Sequence, residues 1–415
     1  MAGQAAIFDV APPLSASRQG WIWSEAWDKR WIIFTALLAP VPVVFFLLCM
    51  YSLTNYAGLA KSDAKGISED LTSLFVMALA GGPHVWVTFT RTYLNANFKA
   101  RHKFWYWAGF LVVPTVASLG LYSNTTRTLL MTGFFFLASL HIVHQLSYVV
   151  RFYHDRDAAK PTLTSRLMDF AAVIFPLYPL STFRMVMCNE SSMAWGWAVS
   201  WFGSAAQAEE WKFHIGRMQP MLPDFILADW FWMANLGAFL FFTTIWAVKS
   251  YNEYRENRLH MPKFMLICCA IGVGLFAPCW PNLDSSFQGF NLWHSIQYIA
   301  LTWFITRNMA ARGEHTNGFM RWLGGERQKG SRYYAFGLGV FCLIISIMLV
   351  IATVIVYSQG IGYFQGVGET THANYRPGAV LQSYYLLGFG LLLTHYFHDF
   401  FFFSRGTYLE KVAAN

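Results

Sequence analysis

The chain has 415 residues, of which 55% are hydrophobic, 18% aromatic and only 13% charged, and its mean hydropathy is positive. That balance excludes a soluble globular domain and points to an all-α integral membrane protein that crosses the bilayer many times. The net charge of +8 implies no nucleic-acid partner, because Lys and Arg gather in short segments between apolar runs, where membrane topology accounts for them.

A mixed, mostly polar stretch opens the chain without a signal-peptide profile, so the first span is expected to direct insertion itself. A helix needs about 20 mainly apolar residues to cross a bilayer. By that rule spans are expected at 31–53, 70–93, 104–122, 127–150, 166–187, 226–248, 262–280, 286–306, 334–357 and 379–404. Positive charge tests this polytopic bundle of about ten transmembrane helices, since one helix missed or invented inverts every later loop. Lys29 and Arg30 precede the first span, Lys99, Arg101 and Lys103 follow the second, and Arg151, Arg156, Lys160 and Arg166 follow the fourth. The same surplus follows the sixth (Lys249, Arg255, Arg258, Lys263), the eighth (Arg307, Arg312, Arg321) and the tenth (Arg405, Lys411), and the alternate loops lack it. Both termini are therefore expected in the cytoplasm, with the protein in a bacterial inner membrane.

Asp169, near the inner end of the fifth span, is expected to pair with Arg166, and Arg184 to snorkel toward the outer surface. The segment 188–225 holds Trp195, Trp197, Trp201 and Trp211 beside Glu209, Glu210 and Lys212. Amphipathic aromatics of this kind favour the interface, so it is read as an outer interfacial or re-entrant segment. No linker divides the chain, and 1–415 is read as a single membrane domain. The six Cys show no CxxC spacing and read as small core residues.

Six of the twelve histidines fall within expected spans: His84, His141, His144, His294, His395 and His398. They lie on the second, fourth, eighth and tenth spans, which all run from outside to inside. Ionisable groups at membrane depth are costly and mark functional sites. In three of these helices an Arg stands seven residues after a His: Arg91 after His84, Arg151 after His144 and Arg405 after His398. With the guanidinium groups at the inner headgroups, that spacing places these three histidines in one layer, roughly 10 Å in. The Arg side chains themselves are read as helix anchors. By the same ruler His398 ranks above His395 as a ligand. His294, thirteen residues before Arg307, is expected about two turns further out, lining the substrate side.

Helical spacing puts His84, Thr88 and Arg91 on one face, His141, His144 and Tyr148 on another, and His294, Gln297 and Tyr298 on a third. The run Gly81-Gly82-Pro83 should kink the second span just before His84. Neutral imidazole is the commonest metal ligand and suits iron, zinc or copper. The expected metal set is His84, His141, His144, His395 and His398, with Asp399 as a ligand or an orienter of an imidazole N–H. Tyr148, Tyr298 and Gln297 are candidate catalytic groups, and His294 and Thr88 candidate substrate contacts. Such a site, rich in His with one carboxylate, is compatible with one or two non-haem iron ions and O₂ chemistry on a lipophilic or membrane-permeable substrate, with a redox partner supplying electrons. A zinc-dependent hydrolase, a haem-binding electron-transfer subunit and a proton-coupled transporter are the alternatives. HExxH, GxSxG and P-loop motifs are absent, and the Met residues show no periodic pairing of the kind copper trafficking uses.

The His-rich desaturases, alkane hydroxylases and carotenoid ketolases differ from this chain, which lacks their HxxxH and HxxHH boxes. Through Pro83-His84 and the intramembrane His layer, the chain resembles the bacterial β-carotene 15,15′-dioxygenase family, whose members are polytopic and carry a His directly after a Pro on an early helix. The resemblance covers well under a tenth of the chain. It implies O₂ chemistry at intramembrane histidines and leaves the substrate open.

Overall fold

The long apolar runs form helices, because in a bilayer every backbone N–H and C=O must find its partner within the chain. The computed structural model describes residues 20–183, 221–277, 283–313, 317–325, 330–359 and 376–402. Those residues are 88% helical and include no strand. In chain order the long helices are α1 (Glu25–Asn55), α2 (Asp63–Arg91), α3 (Lys103–Tyr122) and α4 (Asn124–Arg156), followed by α5 (Leu163–Phe175). Then come α6 (Asp229–Arg255), α7 (Met261–Phe276), α8 (Leu283–Ala311), α9 (Gly330–Gln359) and α10 (Arg376–Phe402).

These helices overlap the expected spans in order. Among the described residues six of them, α1, α2, α3, α4, α6 and α9, are long and apolar enough to cross a membrane. α7 is apolar but shorter, and Gln288, Asn291, His294 and Gln297 interrupt α8. The outer segment expected at 188–225 lies outside the described residues except for 221–225, and Arg184, Arg405 and Lys411 also lie outside them.

Large apolar side chains on α1 (Leu37, Leu48), α3 (Phe104, Leu111) and α9 (Val350, Val354) are exposed, the pattern of helices whose outer faces meet lipid rather than water. The inner faces build one main core and three smaller apolar clusters among the described residues. α2 packs on α8 and α10, and α4 packs on the same two, so the four His-bearing helices close into a ring.

Local winding departs from α at points that serve this ring. Met77–Gly81 forms a π-helical turn directly before Gly82 and Pro83, so the ring of Pro83 is accommodated by the wider winding, where the sequence suggests a kink. Gly82 permits the contact with α9, since a Cβ there would collide with the ring of Phe341. In α1 a π-helical turn (Lys29–Ile33) runs into a 3₁₀ turn (Phe34–Leu38), and Gln297 donates to the Ile32 carbonyl at 2.7 Å. α5 continues as a π-helical segment over Pro176–Thr182.

A second polar knot ties α4, α5, α6 and α7. Asp169 accepts from Lys249 at 2.5 Å and Trp246 at 3.0 Å on one oxygen. On the other it meets His154 at 2.9 Å and Lys263 at 3.1 Å. The expected Asp169–Arg166 pair is therefore corrected: Arg166 Nε donates instead to the Pro161 carbonyl at 3.2 Å. Three cationic or imidazole partners converge on Asp169 from neighbouring helices, and local spacing along α5 could not reveal them.

Candidate metal centre

His84 on α2, His141 on α4, His294 on α8 and His395 on α10 meet at the centre of the ring. Each offers one ring nitrogen, these atoms lie within 4.8 Å of one another, and all four residues are buried. His395 is the hub. Its Nε2 stands 2.5 Å from Nε2 of His84 and 3.2 Å from Nε2 of His141. His294 packs its ring 4.6 Å from that of His84 and 4.7 Å from that of His141.

Asp399, one turn after His395, turns its carboxylate to the same point. Oδ1 accepts from Tyr298 at 2.6 Å and from Thr88 at 3.4 Å. Oδ2 makes no hydrogen bond although it is buried, and it faces Nε2 of His395 at 3.6 Å and of His141 at 3.7 Å. Arg91 also belongs here. Expected as a helix anchor, it is 5% exposed and lies in electrostatic range of Asp399, Tyr298, Tyr148 and Tyr333.

Hydrogen bonding sets the direction of the hub imidazole. Nδ1 of His395 lies 2.6 Å from Thr88 Oγ1. With Nδ1–H donating to Thr88 and the Thr88 hydroxyl directed to Asp399, Nε2 keeps its lone pair toward the other histidines. Such outer hydrogen bonds fix tautomer and ring orientation at metal sites. Gln145, four residues after His141 and on the same face, donates to the His294 carbonyl at 3.1 Å and to Gln297 Oε1 at 3.0 Å. Together with the bond from Gln297 to Ile32, this brace locks α4, α8 and α1 in register. Gln145 is not among the expected site residues, although its i+4 spacing from His141 carries the signal.

The set brought together differs from the expected one. His84, His141, His395 and Asp399 converge. His144 does not join them: it is half-buried, with its ring 6.3 Å from that of Phe400. Nor does His398, which packs over Gly109 of α3, where an added Cβ would lie 2.8 Å from its Nε2, and against the ring of Tyr93 at 5.1 Å. The ranking of His398 above His395 is thus reversed. His294, expected two turns further out, is level with the others.

The Arg spacing does not pick out the cluster, because Arg91 is itself buried among the helices near Asp399 and Tyr298. On α4 and α10 the residues that enter the ring are the earlier of each pair, His141 and His395, roughly one turn before His144 and His398 along the helix. Of the other candidates, Thr88 and Tyr298 touch the cluster through His395 and Asp399. Gln297 braces helices, and Tyr148 meets Phe152 edge to face with ring centroids 4.7 Å apart.

Both ring nitrogens of His294 are buried without a hydrogen-bond partner, as is Asp399 Oδ2. Each such group left unpaired costs about 1–3 kcal/mol. Around His395 Nε2, two nitrogens and a carboxylate oxygen crowd together, more than its single proton or lone pair can serve. One cation at this point would take one lone pair from each imidazole and one from Asp399 Oδ2. Metal–nitrogen bonds of about 2.0–2.1 Å require ligand atoms roughly 3 Å apart, which small side-chain movements within this cluster reach. No family model, curated protein or solved structure matches the chain.

Proposed function

We propose that this protein is an intramembrane metalloenzyme in which His84, His141, His294 and His395 hold one iron ion, with Asp399 as a further ligand, and that it uses O₂ on a lipophilic substrate. The observation that carries this reading is the convergence of four buried imidazoles from four different helices on one point. Asp399 Oδ2 supports a cation at that point, being buried without a hydrogen bond and facing Nε2 of both His141 and His395.

The number of donors supports iron over zinc. Four imidazoles saturate a tetrahedral zinc, whereas catalytic zinc keeps three protein ligands and an open position. A six-coordinate iron held by four imidazoles keeps a position for O₂ even with Asp399 bound. Haem is disfavoured by geometry, since four rings with centroids 4.3–6.0 Å apart leave no space for a macrocycle. Iron bound there supplies O₂ activation. Thr88 and Tyr298 orient His395 and Asp399, Arg91 balances the buried carboxylate, and the surrounding apolar helices exclude water.

The reading places the protein in a bacterial inner membrane with about ten spans and both termini in the cytoplasm, drawing electrons from a redox partner, in keeping with the resemblance to the β-carotene dioxygenase family. Elemental analysis of the purified chain tests it. Iron near one equivalent is expected; zinc would favour the hydrolase, and a metal-free protein would favour the transporter.

A further inference from the structure

The joint between α2 and α3 gathers charge that the histidine cluster does not use. A short helix, Ala96–Arg101, ends one residue before α3 begins at Lys103, and Lys99, Arg101 and Lys103 are all exposed. Lys99 folds back over the start of α3, with its ammonium 5.3 Å from the ring of Tyr106 and 5.8 Å from that of Trp107. The cations therefore stand beside aromatic rings of the kind that sit at headgroup level in a bilayer.

Nothing acidic balances them. No Asp or Glu occurs between Asp70 and Asp155, and among the described residues no ion pair involves Lys99, Arg101 or Lys103. The basic segment after α6 is different: Lys249 and Lys263 meet Asp169, and Arg258 meets Glu256. Membrane topology asks only for a surplus of positive charge; it does not ask for cations without acids.

Apolar surface continues directly from this joint. Phe104, Trp107 and Leu111 are exposed and lie at i, i+3 and i+7, so they form one stripe that runs roughly 10 Å along α3. Trp105 turns the other way, with its ring 5.1 Å from that of Phe397 on α10, which fixes the rotation of the stripe.

We infer that this joint binds one anionic phospholipid, with its phosphate headgroup among Lys99, Arg101 and Lys103 and an acyl chain along Phe104, Trp107 and Leu111. The guanidinium fork and the two ammonium groups suit phosphate oxygens. A soluble acidic protein would use the cations and leave the stripe bare, and a lipid without net charge would use the stripe and leave the cations unmatched. The inference stands apart from the proposed iron chemistry, because none of these residues belongs to the cluster.

Native mass spectrometry of the full chain in detergent tests it, with phosphatidylglycerol and phosphatidylcholine of the same acyl chains as probes. Phosphatidylglycerol is expected to bind at least about tenfold more tightly, and Lys99→Gln, Arg101→Gln and Lys103→Gln combined should abolish that preference. Should the triple variant not fold, Arg101→Gln alone should weaken phosphatidylglycerol about fivefold, whereas Arg255→Gln, an exposed cation at the end of α6, should leave it unchanged. Leu111→Ser should weaken both lipids alike. Equal binding of the two lipids by the wild type overturns the inference and leaves the patch to an acidic soluble partner. Equal losses in Arg101→Gln and Arg255→Gln overturn it as well, by reducing the preference to overall charge.

Discussion

Thr88 illustrates how much one small side chain decides. Its hydroxyl lies 2.6 Å from Nδ1 of His395 and 2.9 Å from the Tyr298 hydroxyl, so the imidazole and the carboxylate are oriented together. Thr88→Val keeps the volume and removes the hydroxyl. Metal affinity is expected to fall roughly 10–100-fold, measured by competition with a chelator, and Tyr298→Phe should act in the same direction. His260, in the turn between α6 and α7, answers to pH rather than to metal. Burial holds its imidazole down to about 4, with Asp157 opposing and Lys263 and His154 adding to the depression. In the unfolded chain an imidazole takes its proton near about 6.5, so on acidification the unfolded state binds protons first. Stability is therefore full above about pH 6.5 and is lost as pH falls toward 4, by on the order of 3 kcal/mol. Thermal unfolding midpoints across that range should slope for the wild type and flatten for His260→Asn, which retains a capping acceptor for α7.

At the scale of the helix, the sequence carries the faces but not the final rotation. His141 and His144 are three residues apart, as are His395 and His398, so each pair occupies one broad stripe of its helix. Which member enters the ring is set by the neighbours: α3 offers the Gly109 notch to His398, while Thr88 of α2 captures His395. Helix positions, the Pro83 irregularity and the stripe of His294, Gln297 and Tyr298 were legible because they are local. The burial of Arg91 and the four-way coordination of Asp169 depend on distant helices and left no mark in spacing. Asp169 also separates scaffold from site. Asp169→Asn removes the carboxylate that Lys249, Lys263 and His154 share, leaving Lys249 with Glu253 and Lys263 with Asp157, and is expected to cost about 1–3 kcal/mol. A lower melting temperature is expected with metal content retained by the folded fraction; loss of metal from folded protein would instead tie this knot to the site.

Across the described residues, apolar outer surfaces surround a ring of four helices, and buried ionisable groups collect both inside that ring and in the Asp169 knot between α4, α5, α6 and α7. Neighbouring helices supply the support: α1 accepts Gln297, α3 receives His398, and α9 seats its Phe341 ring at Gly82. An arrangement that gathers four imidazoles and a carboxylate from helices distant in sequence is expensive unless something holds them together. The central claim is that a metal does so through the inner members of the His pairs together with His294. Metal content of purified His294→Ala and His398→Ala, side by side with the wild type, tests this most directly. The account expects His294→Ala to lose its metal and His398→Ala to keep it; retention in the first with loss in the second would contradict it.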